Sequence, residues 1–167
     1  AAVAASGARV QGGGPDSQPN ILLLIADDLG VDLVGAYAGH PDPAHTPVID
    51  SLASHGLLFR NAYADPVCSP SRAALITGRD CRHNGFGWGT DWFKEGTELS
   101  LSEVCIPEAL PASYRKFAIG KWHLGSLKVS GPLHPNLQGF EHFRGCMGVF
   151  PGFIGNGYYD WTKITDG

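Results

Sequence analysis

Hydrophobic and polar positions fall into two regimes along this chain. The first is a solid block, Asn20-Ile-Leu-Leu-Leu-Ile-Ala26, which runs straight into Asp27-Asp28. A short run with no polar face predicts a strand buried on both sides, of the kind found in parallel sheets. The second regime is helical. Val48, Ile49, Leu52 and Ala53 share one face, with Thr46 as N-cap, Pro47 in the first turn and Gly56 as the stop. Leu57 to Tyr63 predicts a second strand. Cys68 to Arg79 predicts a short helix with Ser69 as N-cap, Pro70 at the first helical position and Gly78 as the left-handed stop. Ser100 and Glu103 have capping-box spacing for a helix from about Leu101, which Pro107 would kink or shorten. Tyr114 to Lys121 predicts a third strand. Beyond Gly125 the chain is rich in Gly, Pro and aromatics, and the periodic signal is weak.

Strands alternating with helices predict an α/β layered fold. Ligands of open sheets of that kind bind beyond the carboxyl ends of the strands, where Asp27-Asp28 and Lys121 stand. No internal repeat or second domain boundary is evident, so residues 20–167 read as part of one domain. Residues 1–19, Ala-rich and then Gln-Gly-Gly-Gly-Pro, read as a flexible leader. They are either the remnant of a processed signal peptide or the boundary of a longer sequence.

Composition narrows the function classes. A formal charge of −4 argues against nucleic acid as a partner and offers no basic face to an acidic membrane. An acidic protein that handles an anion must gather its positive charge locally. Gly makes up 23 of 167 residues, about double the usual share of roughly 7 %, which predicts much loop and close backbone approaches. The apolar run Ile21 to Ala26 is far short of the roughly 20 residues that span a bilayer. Cys68, Cys81, Cys105 and Cys146 show no Cys-x-x-Cys spacing, which disfavours zinc ribbons and thioredoxin-type redox motifs.

Three segments carry candidate chemistry. Cys68 is a potential nucleophile at the mouth of a helix, and Arg72 is a cation placed within its first turn. A positive charge there opposes the helix dipole, and an anion held between Arg72 and Cys68 would offset the cost. Asp27 and Asp28 are adjacent carboxylates that repel unless a cation neutralises them. Ca²⁺ or Mg²⁺ with oxygen ligands would do so; the other reading is one N-cap and one solvated charge. In Gly120-Lys-Trp-His-Leu-Gly125, an extended backbone turns Lys121 and His123 to one side and Trp122 to the other. That pairs a fixed cation with an imidazole able to move a proton near neutral pH. Alternatively it is a solvated strand end anchored by Trp122. His40, His45, His55, His83, His134 and His142 lack ligand spacing and read as solvated or structural.

Together these segments resemble the type I, formylglycine-dependent sulfatases of the alkaline phosphatase superfamily. Residues 68–79 match the family signature Cys-x-Pro-Ser-Arg with its Leu-(Leu/Ile)-Thr-Gly-Arg tail, without a gap. Pro19 to Gly30 resembles the family's opening metal-binding strand, and Gly120 to Gly125 its Lys- and His-bearing segment. His45-Thr-Pro-Val-Ile-Asp50 and Gly139-Phe-Glu-His-Phe are fainter echoes; Val48 departs from the family's Asn.

The resemblance implies an alkaline phosphatase-like fold, a mixed, mostly parallel sheet flanked by helices. It implies that Asp27, Asp28 and residue 68 are metal ligands for Ca²⁺ or Mg²⁺, and that Cys68, Arg72, Lys121 and His123 are catalytic. A formylglycine-generating enzyme would convert Cys68 to an aldehyde that hydrates to a gem-diol. One hydroxyl attacks the sulfur of a sulfate ester and the other, deprotonated with help from His123, expels sulfate. A serine would be left stably sulfated. The substrate would be a sulfated small molecule or polysaccharide, on a carbohydrate or aryl group. The compartment would be secreted, periplasmic or ER/lysosomal.

The family completes its metal site with an Asp-Asn pair, and its catalytic set with a further Lys and His, from later segments. Residues 20–167 therefore resemble the N-terminal part of the catalytic domain, incomplete at the C-terminus and expected to be inactive or barely active alone. Competing readings are a non-catalytic fragment or pseudoenzyme with unmodified Cys68, and a phosphoesterase or phosphonate hydrolase of the same superfamily. Trp88, Trp92, Phe93 and Trp161 are candidates to stack on a ring of the substrate.

Overall fold

The apolar block does form a strand, β2 (Leu22–Ala26), but its setting differs from expectation. It pairs antiparallel with β1 (Ala2–Ser6), Ala2 opposite Ala26 and Ser6 opposite Leu22. Part of the expected leader is thus a strand. Nor is β2 buried on both faces: Leu22 and Leu24 are 58 % and 52 % exposed, because the two-stranded ladder leaves them uncovered. The computed structural model describes residues 2–6, 18–88, 97–148 and 163–166. It divides into two compact units, Ala1–Ala64 and Asp65–Gly167.

In the first unit, helix α1 (Pro47–His55) lies where the periodicity placed it, between Thr46 and Gly56. Thr46 holds its start indirectly. Its hydroxyl donates to Asp50 Oδ1 at 3.1 Å and accepts from the Gly35 N–H at 3.2 Å. Asp50 Oδ1 also accepts the Ala36 N–H at 2.8 Å, so the helix is tied to the 3-10 turn Gly35–Tyr37. The strand expected over Leu57–Tyr63 does not form. Leu57, Phe59 and Tyr63 are exposed there, and apolar residues make a strand only where a neighbouring edge accepts them.

The second unit is built around Ala73, Phe86, Leu99, Cys105, Trp122, Leu124, Phe143 and Met147. Helix α2 (Cys68–Thr77) ends on Gly78, whose φ of 66° is the left-handed stop read from the sequence. It starts two residues early: Val67 is the N-cap in place of Ser69, and Cys68 rather than Pro70 is the first helical residue. Arg72 consequently opens the second turn. Helix α3 (Cys81–Asn84) follows, capped by Asp80, whose side chain accepts the Arg82 N–H.

The expected helix near Leu101 is displaced to α4 (Ile106–Ala109), with Pro107 harmlessly in its first turn. Glu103 cannot close the predicted box because Arg79 holds both its carboxylate oxygens, at 3.0 and 2.9 Å. Glu108, five residues on, instead accepts the Cys105 N–H at 2.9 Å.

Strand β3 (Phe117–Lys121) realises most of the third predicted strand. It pairs in parallel with β4 (His142–Cys146), Lys121 opposite Cys146, and β4 pairs antiparallel with β5 (Ile164–Thr165). The short helix α5 (His134–Leu137) lies between β3 and β4. The result is an α/β arrangement with a mixed sheet. Gly145 is obligatory in it, since a Cβ there would stand 1.8 Å from the Gly120 carbonyl oxygen. Among the described residues, no helix is long and apolar enough to cross a membrane.

Candidate active site

Cys68 sits where α2 begins, at the positive end of the helix dipole. The approach to it is fixed by Ser71, whose hydroxyl donates to the carbonyls of Asp65 at 2.9 Å and Val67 at 3.0 Å. Two nitrogen groups reach the sulfur from the end of β3. Lys121 Nζ donates to Cys68 Sγ at 3.2 Å, and His123 Nδ1 lies 3.2 Å from the same atom. The residues are 53 and 55 positions apart in sequence, so only the fold unites them.

The expected side-to-side alternation holds. Trp122 points away from Cys68 into the core, edge-on to Phe140 and Phe143 at centroid distances of 5.8 and 6.3 Å. His123 is buried and has left the strand, at φ 59°, a conformation uncommon outside glycine. Its N–H donates to the Met147 carbonyl and that of Trp122 to the Cys146 carbonyl, both at 2.8 Å. These bonds extend the β3–β4 pairing past the last strand residue and hold the turn that presents the imidazole.

Arg72 is buried, and its Nη1 donates to the Lys121 carbonyl at 2.6 Å. Through that bond the guanidinium holds the end of β3 against α2. Cys146 faces the same positive groups: burial pushes its thiol pKa up, against the opposing pull of Lys121 and Arg72. Cys105 is deeper still, pushed to about 12 by burial. All four cysteines are free.

Asp27 and Asp28 belong to the first unit, at the turn that follows β2, both exposed, with Asp28 at φ 60°. Among the described residues, no group of three or more His, Cys, Asp or Glu side chains is arranged to hold a metal ion. Their donor chemistry, two hard carboxylates, suits Ca²⁺ or Mg²⁺; their number falls short of the six to eight oxygens Ca²⁺ takes.

Of the aromatics considered for ring stacking, Trp88 is exposed, whereas Trp92, Phe93 and Trp161 lie outside the described residues. One residue was undervalued by its sequence. His134, read only as solvated or structural, is fully buried and bonded to the indole of Trp122 at 3.0 Å. Twelve positions separate the two, and no local pattern signals the contact.

Comparison with known proteins places these features in a family. The sulfatase family profile matches residues 19–164. N-acetylgalactosamine-6-sulfatase of Homo sapiens is 40 % identical over 167 aligned residues, which cover 90 % of this chain and 31 % of that protein. Arylsulfatase A of Homo sapiens is 43 % identical over 129 residues, covering 76 % of this chain and 25 % of its own length. Among solved structures, Ps i-CgsB superposes with a TM-score of 0.66 at 35 % identity, over 75 % of this chain and 27 % of the other. The chain thus spans about a third or less of the relatives it matches.

Proposed function

Since the chain belongs to the sulfatase family, we propose that it carries the nucleophile-bearing part of a sulfuric ester hydrolase, with Cys68 as the residue that reacts. The observation behind this reading is the pair of 3.2 Å contacts that Lys121 Nζ and His123 Nδ1 make with Cys68 Sγ at a helix N-terminus. Formylglycine, formed from Cys68 by a formylglycine-generating enzyme, would supply a hydrated aldehyde that attacks sulfur with one hydroxyl and releases sulfate through the other.

The remaining work falls to side chains already in place. His123, at hydrogen-bond distance from residue 68, takes up and returns the proton as sulfate leaves; general acid–base help of this kind contributes about 10²–10⁴ in rate. Lys121 stabilises negative charge on residue 68 and on the sulfate oxygens; loss of one such donor costs about 10²–10³ in kcat. Arg72 works through the Lys121 carbonyl, keeping the ammonium aimed at residue 68. Asp27 and Asp28 would contribute carboxylate ligands to a divalent ion, Ca²⁺ or Mg²⁺, completed by further oxygens and polarising a sulfate oxygen when bound. The names of the relatives point to a sulfated carbohydrate or an aryl sulfate as substrate.

The test is hydrolysis of matched aryl sulfate and aryl phosphate by the full-length protein, coexpressed with a formylglycine-generating enzyme. Preference for the sulfate, lost in Cys68→Ala, supports the proposal. Preference for the phosphate would assign the site to a phosphoesterase, and no turnover of either would leave a non-catalytic protein with an intact thiol.

A further inference from the structure

Lys121 and His123 flank a residue that faces the opposite way, and the geometry points to His134 as a positioning residue that sets both through Trp122. Its imidazole is a strut with two fixed ends. Nδ1 accepts the Trp122 indole N–H at 3.0 Å, and Nε2 donates to the Leu99 carbonyl at 2.9 Å. An indole nitrogen only donates, so the ring is neutral with its proton on Nε2. Burial acts in the same sense, lowering the imidazole pKa from its ordinary 6.5.

Both ends are anchored. Leu99 is fully buried, and its N–H donates to the Leu124 carbonyl at 2.8 Å, just past His123. Gly125 makes room for the strut: a Cβ there would stand 2.8 Å from His134 Cβ and 2.7 Å from Met147 Cε.

The site needs such a support because His123 holds a positive φ. Backbone of that kind persists only where its surroundings over-determine it. The backbone bonds of Trp122 to Cys146 and of His123 to Met147 fix the chain path, and the indole–imidazole bond fixes the plane of the residue between the two reacting groups. If Trp122 turns, Lys121 and His123 turn with it, away from the sulfur each now meets at 3.2 Å. The inference rests on the sulfatase reading for its consequence in turnover, and on geometry alone for the placement.

The two ends of the strut can be cut separately. His134→Asn keeps an acceptor near Nδ1 for Trp122 and loses the reach to Leu99. His134→Gln keeps a donor near Nε2 for Leu99 and leaves the indole without its acceptor. Trp122→Phe removes the donor itself and serves if His134→Gln does not fold. In the full-length, formylglycine-bearing protein, His134→Gln and Trp122→Phe should lower kcat by about tenfold to a hundredfold with KM nearly unchanged, as expected for misplacement on the ångström scale. The double variant should be no slower than the worse single. His134→Asn should keep most of kcat even if its Tm falls as far.

Crystal structures of the variants give a readout independent of turnover. The separation of residue 68 from His123 Nδ1 should open in His134→Gln and stay closed in His134→Asn. Losses of kcat that simply follow Tm, or an unchanged separation in His134→Gln, would overturn the assignment. A parent protein that releases no sulfate would refute the sulfatase reading, and the variant structures would still decide the positioning claim.

Discussion

Gly145→Ala tests whether the β3–β4 pairing is what aligns the site. The two strands meet glycine to glycine, Gly120 opposite Gly145. A Cβ on residue 145 would lie 1.8 Å from the Gly120 oxygen, 2.7 Å from its carbonyl carbon and 2.9 Å from its nitrogen. Non-bonded heavy atoms settle at about 3.5 Å or more, so the strands must part by more than about 1 Å. The obstacle is backbone, which no rotamer change can clear. Overpacking costs about 1–3 kcal/mol, and each backbone hydrogen bond lost adds about 0.5–1.5 kcal/mol.

Just past that pair, the bonds from Trp122 to Cys146 and from His123 to Met147, both 2.8 Å, continue the same pairing into the site. Losing both brings the expected cost to about 2–6 kcal/mol, a large fraction of the roughly 5–15 kcal/mol that holds a domain together. Gly120→Ala is the control. Gly120 has φ 102° and no atom within 4 Å of a built Cβ, so its cost is conformational strain alone, about 1–3 kcal/mol. Urea unfolding monitored by tryptophan fluorescence should show a larger drop in midpoint for Gly145→Ala than for Gly120→Ala, at unchanged m-value. A change below ~0.5 kcal/mol for Gly145→Ala would refute the reasoning.

Further outcomes follow from other contacts. Arg72→Met removes the 2.6 Å bond to the Lys121 carbonyl; stability should fall by about 1.5–3 kcal/mol in denaturant titrations, and the sulfatase turnover proposed above for the full-length protein should fall with it. Because burial depresses the His134 pKa, the unfolded chain binds a proton near pH 6.5 that the folded chain refuses. The stability this contributes is complete above pH 6.5 and is lost as the pH falls below it, so His134→Asn should flatten the stability–pH curve on the acid side. Cys105, pushed to about 12 by burial and bonded to Gln138 Oε1 at 3.1 Å, should resist iodoacetamide in the native protein and react after denaturation, read by peptide mass spectrometry.

What was legible in the sequence was local. Thr46, Pro47 and Gly56 bracket α1, and Gly78 closes α2. Lys121 and His123 do share one side, as an extended run would put them, although the strand ends at Lys121 and a turn at φ 59° presents His123. The parts that failed depend on partners far along the chain. Ser100 and Glu103 have the same spacing as Cys105 and Glu108, but Ser100 is turned to Ser102 and Arg79 grips Glu103 from far along the chain. His142-Phe-Arg-Gly-Cys146 carries little strand signal, since its glycine serves the close approach to Gly120. The strut from His134 to Trp122 has no periodicity at all. Convergence of Cys68, Lys121 and His123 was inferable only through family resemblance; the distances are a property of the fold.

The central claim is that Cys68 is a reactive centre to be converted to an aldehyde. Its most direct test is mass spectrometry of the tryptic peptide Asn61–Arg72 from protein made in a host competent for formylglycine formation. The peptide should have exchanged its thiol for an aldehyde and be captured by hydrazide reagents. A peptide recovered wholly with an intact, alkylatable Cys68 would contradict that claim.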